Sequence, residues 1–162
     1  MCLSSTHLVW VNFHFMHNEI KIGVHVIIKN EKGEILLCKR NKIIGFGEWE
    51  LSGGHVEYQE PLEVTGEREC REELGIEVKV GKLVSVAINK KYENHYIIFS
   101  FIADSYSGQP ELKAPDEHSE IKWFKKESLP SQLFISTKHA LDNYFSGTIY
   151  RHEGENYMEA KA

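Results

Sequence analysis

The sequence predicts an α/β fold in which helices cover a mixed β-sheet. Segments rich in Val and Ile, such as residues 20–28 and 94–103, have the composition of strands. Two segments with helical periodicity, residues 61–74 and 131–145, are interleaved with them. Strands and helices that alternate along one chain favour layers of sheet and helix around a shared core. A chain of 162 residues suits one such domain and is short for two.

The regular pattern of strands and helices begins only after Met16. Residues 8–15 partly alternate between apolar and polar side chains, which would suit an edge strand. We nevertheless expect residues 1–17 to form a poorly ordered N-terminal extension. Because no repeat, low-complexity tract or linker follows, we expect one domain over residues 18–147 and a polar C-terminal tail over residues 148–162.

The first part of the domain has the pattern of a β-hairpin. Residues 20–28 and 34–38 are apolar, and residues 30–33 between them read Asn-Glu-Lys-Gly, which is typical of a turn. The basic run over residues 39–42 has two interpretations, a solvated strand end or a patch that faces phosphate. On the second interpretation Arg40 contacts the substrate.

Further strands and a second helix are predicted towards the C-terminus. Residues 76–88 alternate enough for a strand, with Gly81 as the expected bulge. Residues 121–124 predict another strand. The helical pattern over residues 131–145 is expected to end at Gly147.

The segment 61–74 carries start and stop signals of a helix. Pro61 has a φ suited to the first helical position, where its missing N–H costs nothing. Gly75 supplies the stop. The predicted buried face repeats every four residues, at Leu62, Gly66, Cys70 and Leu74.

Three carboxylates lie on one face of this helix. Glu69, Glu72 and Glu73 stand at i, i+3 and i+4, within an arc of about 100°. Carboxylates this close repel one another unless a cation lies between them. Since carboxylate oxygens are the ligands that hard divalent ions prefer, the cluster predicts a site for Mg²⁺, with Mn²⁺ as a substitute.

Gly54, Glu60, Arg68 and Gly75 stand at fixed spacings around these glutamates. Five residues separate Gly54 from Glu60, and seven separate Glu60 from Arg68. A solvated acidic helix face is the common alternative for a run of charges, but it does not explain this register. The pattern resembles the Nudix box. The resemblance implies an α/β/α Nudix sandwich with a mixed sheet between helices, and hydrolysis of a nucleoside diphosphate linked to a further group.

The resemblance also implies roles for individual residues. The backbone carbonyl of Gly54 adds a metal ligand to the three glutamates. Glu69 is the first candidate for the catalytic base, although relatives differ in which glutamate serves. Arg68 and Glu60 form an orienting ion pair, and a plain structural salt bridge is compatible with that role.

Relatives often supply a further carboxylate from the loop before the strand that carries Trp123. Glu117, six residues before this tryptophan, is the candidate metal ligand, with Asp116 and Glu120 as competitors. His55, His95 and His118 are expected in loops from which each can reach the site, with His55 as the candidate substrate contact; a polar loop residue without such a role is the common alternative.

Three positions depart from the family pattern. Ser52 stands where a proline is usual, and Gln59 where a glycine is usual. Gly66 replaces a common alanine and should weaken the helix by up to ~1 kcal/mol.

The substrate is inferred from the flanking residues. Residues 47–57 and 94–96 are similar to small MutT-like members, which cleave nucleoside triphosphates to a monophosphate and pyrophosphate. Tyr92 lies sixteen residues after Ile76, a spacing that accompanies dinucleoside polyphosphates in other branches. Tyr92 is therefore a candidate substrate contact, and a hydrolase of such compounds or of another nucleoside diphosphate derivative is the alternative. A Nudix domain that binds nucleotides without turnover usually loses box carboxylates, and all are present here.

Composition restricts the partners. A net charge of −5 and a pI near 6.0 argue against a surface that neutralises duplex nucleic acid. A small-molecule nucleotide is still compatible, because a bound metal supplies positive charge. A homodimer is compatible with the sequence, which carries no signal for the oligomeric state.

The apolar runs and the cysteines of the sequence bear on membrane insertion and on the cellular compartment. No apolar run approaches the ~18 residues of a membrane span, and the N-terminus lacks the features of a signal peptide. Cys2, Cys38 and Cys70 are widely spaced without a CxxC pair, which predicts free thiols and a cytoplasmic location.

Overall fold

A computed structural model of the chain describes residues 19–89 and 95–152. The predicted extension over residues 1–17, its candidate edge strand and Tyr92 lie outside this part of the chain. The elements in chain order are β1 (Ile20–Ile27), β2 (Ile35–Arg40), β3 (Trp49–Glu50), β4 (Ser52–His55), α1 (Leu62–Leu74), β5 (Glu77–Asn89), β6 (His95–Ser107), β7 (His118–Phe124), a 3₁₀ turn (Lys126–Ser128), α2 (Ile135–Ser146) and β8 (Tyr150–His152).

The strands form two sheets. The larger has the order β4-β1-β6-β5-β8, and the smaller has the order β3-β2-β7. The larger sheet is mixed, because β1 runs parallel to β6 and β5 parallel to β8, while its other pairs are antiparallel. The predicted mixed sheet is confirmed, and a second, antiparallel sheet is added to it.

The predicted hairpin of the first two strands is wrong in its pairing. Both strands form, and Gly33 N–H donates to the Asn30 carbonyl in the turn, 2.9 Å away. However, β1 uses its two edges for β4 and β6, while β2 pairs with β3 and β7. The link between β1 and β2 is reduced to the end of the turn, where Lys29 bridges Ile35.

Side chains on alternate faces of β1 enter two separate cores, one under each helix. Val24 and Val26 pack in the core that contains Cys70 and Leu74 of α1. The neighbouring Ile27 packs in the other core, which also contains Leu37, Trp49, Leu51, and Ala140 and Leu141 of α2. Because helices cover both sides, the expected α/β/α sandwich is confirmed.

The helix signals in the sequence are confirmed with shifted N-terminal boundaries. Pro61 is the N-cap of α1, with an extended ψ of 146°, one position before the first helical position that was predicted for it. Gly75 ends the helix in a left-handed conformation with φ 66°, its N–H donating to the Arg71 carbonyl. The second helix begins at Ile135 instead of residue 131. Residues before it pair with the backbone of Trp49, because Trp49 N–H donates to the Gln132 carbonyl and the Phe134 N–H to the Trp49 carbonyl.

The last two features concern β5 and the C-terminal boundary. The pairing of β5 with β6 shifts register between Val80 and Leu83, which confirms the bulge expected at Gly81. The sheet extends past the predicted domain boundary at residue 147, because β8 pairs with Val86–Ile88 at the C-terminal end of β5. Within the two described ranges, no helix is long and apolar enough to cross a membrane.

Candidate active site

Helix α1 places its three clustered glutamates in different surroundings. The side chain of Glu72 is 59% exposed, that of Glu69 is 14% exposed, and that of Glu73 is 3% exposed. Glu72 therefore opens towards solvent, Glu69 is largely covered, and Glu73 points into the protein.

Arg68 connects several groups around the outer side of the helix. Its Nη1 donates to Glu69 Oε1 at 2.8 Å and to Glu72 Oε2 at 3.3 Å. Its Nη2 donates to the backbone carbonyl of His55 at 3.1 Å, which links the helix to β4. One guanidinium thereby fixes the position of two carboxylates relative to the adjacent strand.

Glu60 in turn orients Arg68. Its Oε1 accepts a hydrogen bond from Arg68 Nε at 2.9 Å, and its Oε2 accepts one from Thr65 Oγ1 at 2.7 Å. The hydrogen bonds from Arg68 and then Thr65 lower the pKa of Glu60 to about 2. Glu60 is therefore anionic across the neutral range and holds the arginine permanently.

Gly54 lies directly against the Glu69 carboxylate. A Cβ atom at this position would overlap Glu69 Oε1, so the close approach requires glycine. Gly54 is also held in register with Val24 in the β1–β4 pair. The backbone of β4 and the carboxylate of α1 are consequently adjacent.

Burial raises the pKa of Glu69, and the charges of Glu72 and Glu117 raise it further. Hydrogen bonding from Arg68 opposes this shift without cancelling it. Glu117 itself is about half exposed and forms an ion pair with Lys42. Because its charge acts on Glu69, Glu117 belongs to the same electrostatic environment as the outer carboxylates.

Glu73 is held by neutral donors in the interior. Its Oε2 accepts hydrogen bonds from Ser52 Oγ at 2.6 Å and from the Gly53 N–H at 3.1 Å. Its Oε1 lies 3.8 Å from His118 Nδ1. Burial raises the pKa of Glu73 to about 7.

A buried chain of charges continues from this histidine. His118 Nε2 lies 2.9 Å from Glu50 Oε1, and Arg40 forms an ion pair with Glu50 Oε2. Burial raises the pKa of Glu50, but the hydrogen bond from His118 and the charge of Arg40 outweigh it, so the net shift is downward. Arg40 also lies 4.0 Å from the ring centroid of Phe134. The chain ends at the surface of a cavity.

This cavity has a volume of about 410 Å³ and adjoins the glycines of β4. Its walls are largely apolar, with a few polar side chains among them, as is typical of small-molecule sites. The apolar lining includes Ile43, Ile44, Tyr96, Ile98, Phe134 and Ile135, and the polar lining includes His25, Arg40, Lys42, Glu50, His55, Asn89 and Ser136.

His25 contributes a neutral imidazole to the cavity lining. Burial lowers the pKa of His25 to about 4, so the ring is uncharged at neutral pH. Among the described residues, nothing forms a hydrogen bond with its Nδ1 atom.

Comparison with known proteins decides the family. The model of the NUDIX domain matches residues 19–144. The chain belongs to the Nudix family. Nudix hydrolases use a divalent metal ion, and the donors on the outer side of α1 fit such an ion, because hard divalent cations prefer carboxylate oxygens. Glu69 and Glu72 share Arg68, whereas the two oxygens of Glu73 face Ser52, Gly53 and His118.

Two similar curated proteins share one name. The nucleoside triphosphatase NudI of Salmonella agona (strain SL483) is 33% identical over 128 residues, covering 71% of this chain and 89% of that protein. The protein of the same name from Salmonella newport (strain SL254) matches to the same extent.

Solved structures of MutT proteins are also similar to this chain. A MutT NUDIX hydrolase from Burkholderia pseudomallei has a TM-score of 0.72 at 33% identity, covering 77% of this chain and 98% of that chain. A MutT protein from Methanosarcina mazei Go1 has a TM-score of 0.70 at 28% identity, covering 82% and 95%.

The residues predicted to contact the substrate lie in different surroundings. Arg40 lines the cavity, but as a buried partner of Glu50 instead of part of a basic surface. His55 lines the cavity, with its ring centroid 5.7 Å from that of Tyr96. Tyr92 lies outside the described residues. The competitors of Glu117 include Glu120, which pairs with Lys39 at 3.8 Å.

Sequence reasoning missed three residues of this Nudix site. Glu50 pairs with His118 and Arg40, Ser52 binds Glu73, and His25 lines the cavity. A signal existed for Ser52, because it replaces the usual proline. The other two carried none, since a glutamate beside Trp49 is commonly solvated and a histidine in a strand is commonly structural. His118, expected in a loop, begins β7 and is buried.

Proposed function

We propose that this Nudix hydrolase cleaves a nucleoside triphosphate to a nucleoside monophosphate and pyrophosphate, using Mg²⁺. One observation carries the proposal: Gly54 lies between the cavity, which it lines, and Glu69, against which it packs. A nucleoside in the cavity would therefore extend its phosphates past Gly54 towards the outer carboxylates of α1.

The size and lining of the cavity support a single nucleoside. A volume of about 410 Å³ lies within the range of about 300–1,000 Å³ typical of small-molecule sites. Phe134 offers a flat aromatic ring and Ile44 an apolar contact for a base. The triphosphate itself is favoured because the Salmonella relatives are named nucleoside triphosphatases.

A phosphoanhydride resists hydrolysis because water is a weak nucleophile and anionic oxygens repel it. A bound divalent ion neutralises phosphate charge and lowers the pKa of bound water. Glu69, Glu72, Glu117 and the Gly54 carbonyl would hold that ion. The hard oxygen donors suit Mg²⁺, the proposed resident ion, and equally suit Mn²⁺ as a substitute.

The chain's own contribution is to orient groups and accept a proton. Glu69 is the proposed general base, since its raised pKa brings the carboxylate closer to the operating pH. Arg68, held by Glu60, fixes Glu69 through the 2.8 Å hydrogen bond. Such positioning is the main catalytic task in phosphoryl chemistry.

The setting of the enzyme is also part of the proposal. Cys38 and Cys70 are buried free thiols, which suits a reducing cytoplasm. The net charge of −5 favours a free nucleotide over duplex nucleic acid or an anionic membrane surface as partner. The homodimer and the domain limits of 18 and 147 stay predictions.

The test is hydrolysis of a nucleotide panel in ¹⁸O-labelled water with Mg²⁺. We expect monophosphate and pyrophosphate from a triphosphate, with the label showing which phosphorus is attacked. Turnover confined to a dinucleoside tetraphosphate would replace the proposal with its alternative. Nucleotide binding without any product would leave the non-catalytic interpretation.

A further inference from the structure

The three cations of the basic run over residues 39–42 lie in three different surroundings. Lys39 lies on β2, outside the lining of the cavity. Arg40 lines the cavity, but its buried guanidinium is already paired with Glu50. Lys42 follows the end of β2, lines the cavity, and has a side chain that is 41% exposed. A ligand in the cavity can therefore engage Lys42 without breaking a buried ion pair.

The Lys42 ammonium pairs with the Glu117 carboxylate, whose side chain is 47% exposed. Water screens such a half-exposed pair, so each side chain exchanges readily for a stronger partner. The two loops themselves are joined through Asn41, whose N–H donates to the Glu117 carbonyl at 2.7 Å and whose Nδ2 donates to the Pro115 carbonyl at 3.0 Å. The backbones are thus held together independently of the contact between the two charged side chains.

The ion pair between Lys42 and Glu117 lies between the cavity and the outer carboxylates of α1. Burial and nearby lysine charges, that of Lys42 among them, lower the pKa of the cavity residue His55, and the charge of Glu117 raises it. The charge of Glu117 also acts on Glu69. Gly54 lines the cavity and packs against Glu69, so phosphates that extend past Gly54 come close to this ion pair.

We propose that Lys42 positions the triphosphate by exchanging partners: it leaves Glu117 for a phosphate oxygen, and the released Glu117 carboxylate becomes available to the divalent metal ion. The inference rests on the proposed function, which supplies both the triphosphate and the ion. An ammonium on a flexible four-carbon stem can turn between two partners. Phosphate oxygens are strong acceptors for such a donor, and a hard divalent ion prefers a carboxylate oxygen. Nucleotide and metal then promote each other's binding.

Two binding measurements test the exchange without turnover. Calorimetry in EDTA measures the affinity for the α,β-methylene analogues of the four ribonucleoside triphosphates. Paramagnetic resonance of the free ion measures Mn²⁺ binding without nucleotide. Lys42→Gln should weaken the tightest analogue by about 5–20-fold, because a charged donor to phosphate is lost. It should tighten Mn²⁺ binding by about 2–5-fold, because Glu117 is no longer paired.

The opposite directions of these two effects distinguish the exchange from a structural role, which would weaken both affinities. Lys39→Gln is the matched control, because it removes the same charge from the same run at a similar exposure of 38%, and its partner is Glu120. It should change each affinity by less than about 2-fold. Equal effects of the two variants, or an Mn²⁺ affinity that Lys42→Gln leaves unchanged or weakens, would overturn the proposal. An analogue affinity too weak to measure in the wild type would overturn it as well.

Two further variants complete the test. Glu117→Gln should have the reverse effects, with tighter binding of the analogue in EDTA and weaker binding of Mn²⁺. Lys42→Arg keeps the charge and should behave like the wild type in both measurements. A protein that shows these binding changes but cleaves no triphosphate would refute the proposed function and leave the exchange intact. Normal cleavage by the wild type with unchanged binding by Lys42→Gln would refute the exchange alone.

Discussion

Helix α1 carries both exposed and buried carboxylates, and the two groups have different hydrogen-bond partners. The side chain of Glu72 is 59% exposed, while that of its neighbour Glu73 is 3% exposed. The outer carboxylates share the cation Arg68, whereas Glu73 is held by the neutral donors Ser52 and Gly53.

The difference arises from what packs against each side of the helix. On the outer side, Glu72 is exposed to solvent and Glu69 is partly covered, and Arg68 donates to both. The inner side faces β2, β4 and β7, whose side chains add sulfur, hydroxyl and imidazole groups around Glu73. Glutamates of one helix thus lie among carboxylates on the outer side and beside a thiol and an imidazole on the inner side.

The largest expected effect is the loss of kcat when an outer carboxylate of α1 is substituted. Glu69→Gln should lower kcat by about 10²–10⁴-fold, the usual contribution of a general base. Glu63→Gln, an exposed change in the first turn of α1, should leave kcat unchanged. Single-turnover hydrolysis of the best triphosphate measures both. A Glu69→Gln enzyme with near-normal chemistry would move the base to another residue.

A pH titration of stability sharpens the description of the interior. The pKa of folded His25 is about 4 against a usual 6.5, so between these values the unfolded chain binds more protons. Stability should therefore rise with pH across this window, and it should be lower by about 3 kcal/mol at pH 4 than above pH 6.5 on this account alone.

His25→Val should remove this part of the pH dependence. His55→Gln, at an exposed histidine, should change it much less. Urea unfolding at several pH values measures both variants. Identical slopes for wild type and His25→Val would show that His25 is protonated in the folded protein.

Arg68→Ala should destabilise the protein and reduce turnover together. The change leaves the carboxylates of Glu60 and Glu69 without their main cation, at a cost of about 1–3 kcal/mol. Arg71→Ala is the control on the same helix, because it breaks only a solvent-exposed pair with Glu77, worth about 0–1 kcal/mol. Thermal unfolding compares the two, and equal losses would assign Arg68 no special role.

The smallest expected change in stability comes from the packing contact between Gly66 of α1 and the sheet. A Cβ atom at Gly66 would lie 2.8 Å from Val26 Cγ2, so Gly66→Ala loses packing while it gains about 1 kcal/mol of helix propensity. We expect a net loss of about 0–2 kcal/mol. Val64→Ala, at an exposed position of α1, should be neutral or slightly stabilising. A clear gain from Gly66→Ala would show that the seam relaxes.

The sequence by itself determined the parts that depend on nearby residues. Pro61 and Gly75 mark the ends of α1, and the spacing of Glu60, Arg68 and Glu69 predicts both the family and the ion pair. These features are local, because the helix ends are set by adjacent residues and Glu60 lies only eight positions from Arg68.

Only the tertiary structure decided how distant segments meet. It separated β1 and β2 into two sheets, paired Arg40 with Glu50, and turned Glu73 towards Ser52. It also brought His118 beside Glu73 from β7, forty-five positions along the chain. The physical reason is that the surroundings of a buried polar group are set by whichever strands pack over it, and no local periodicity records that choice.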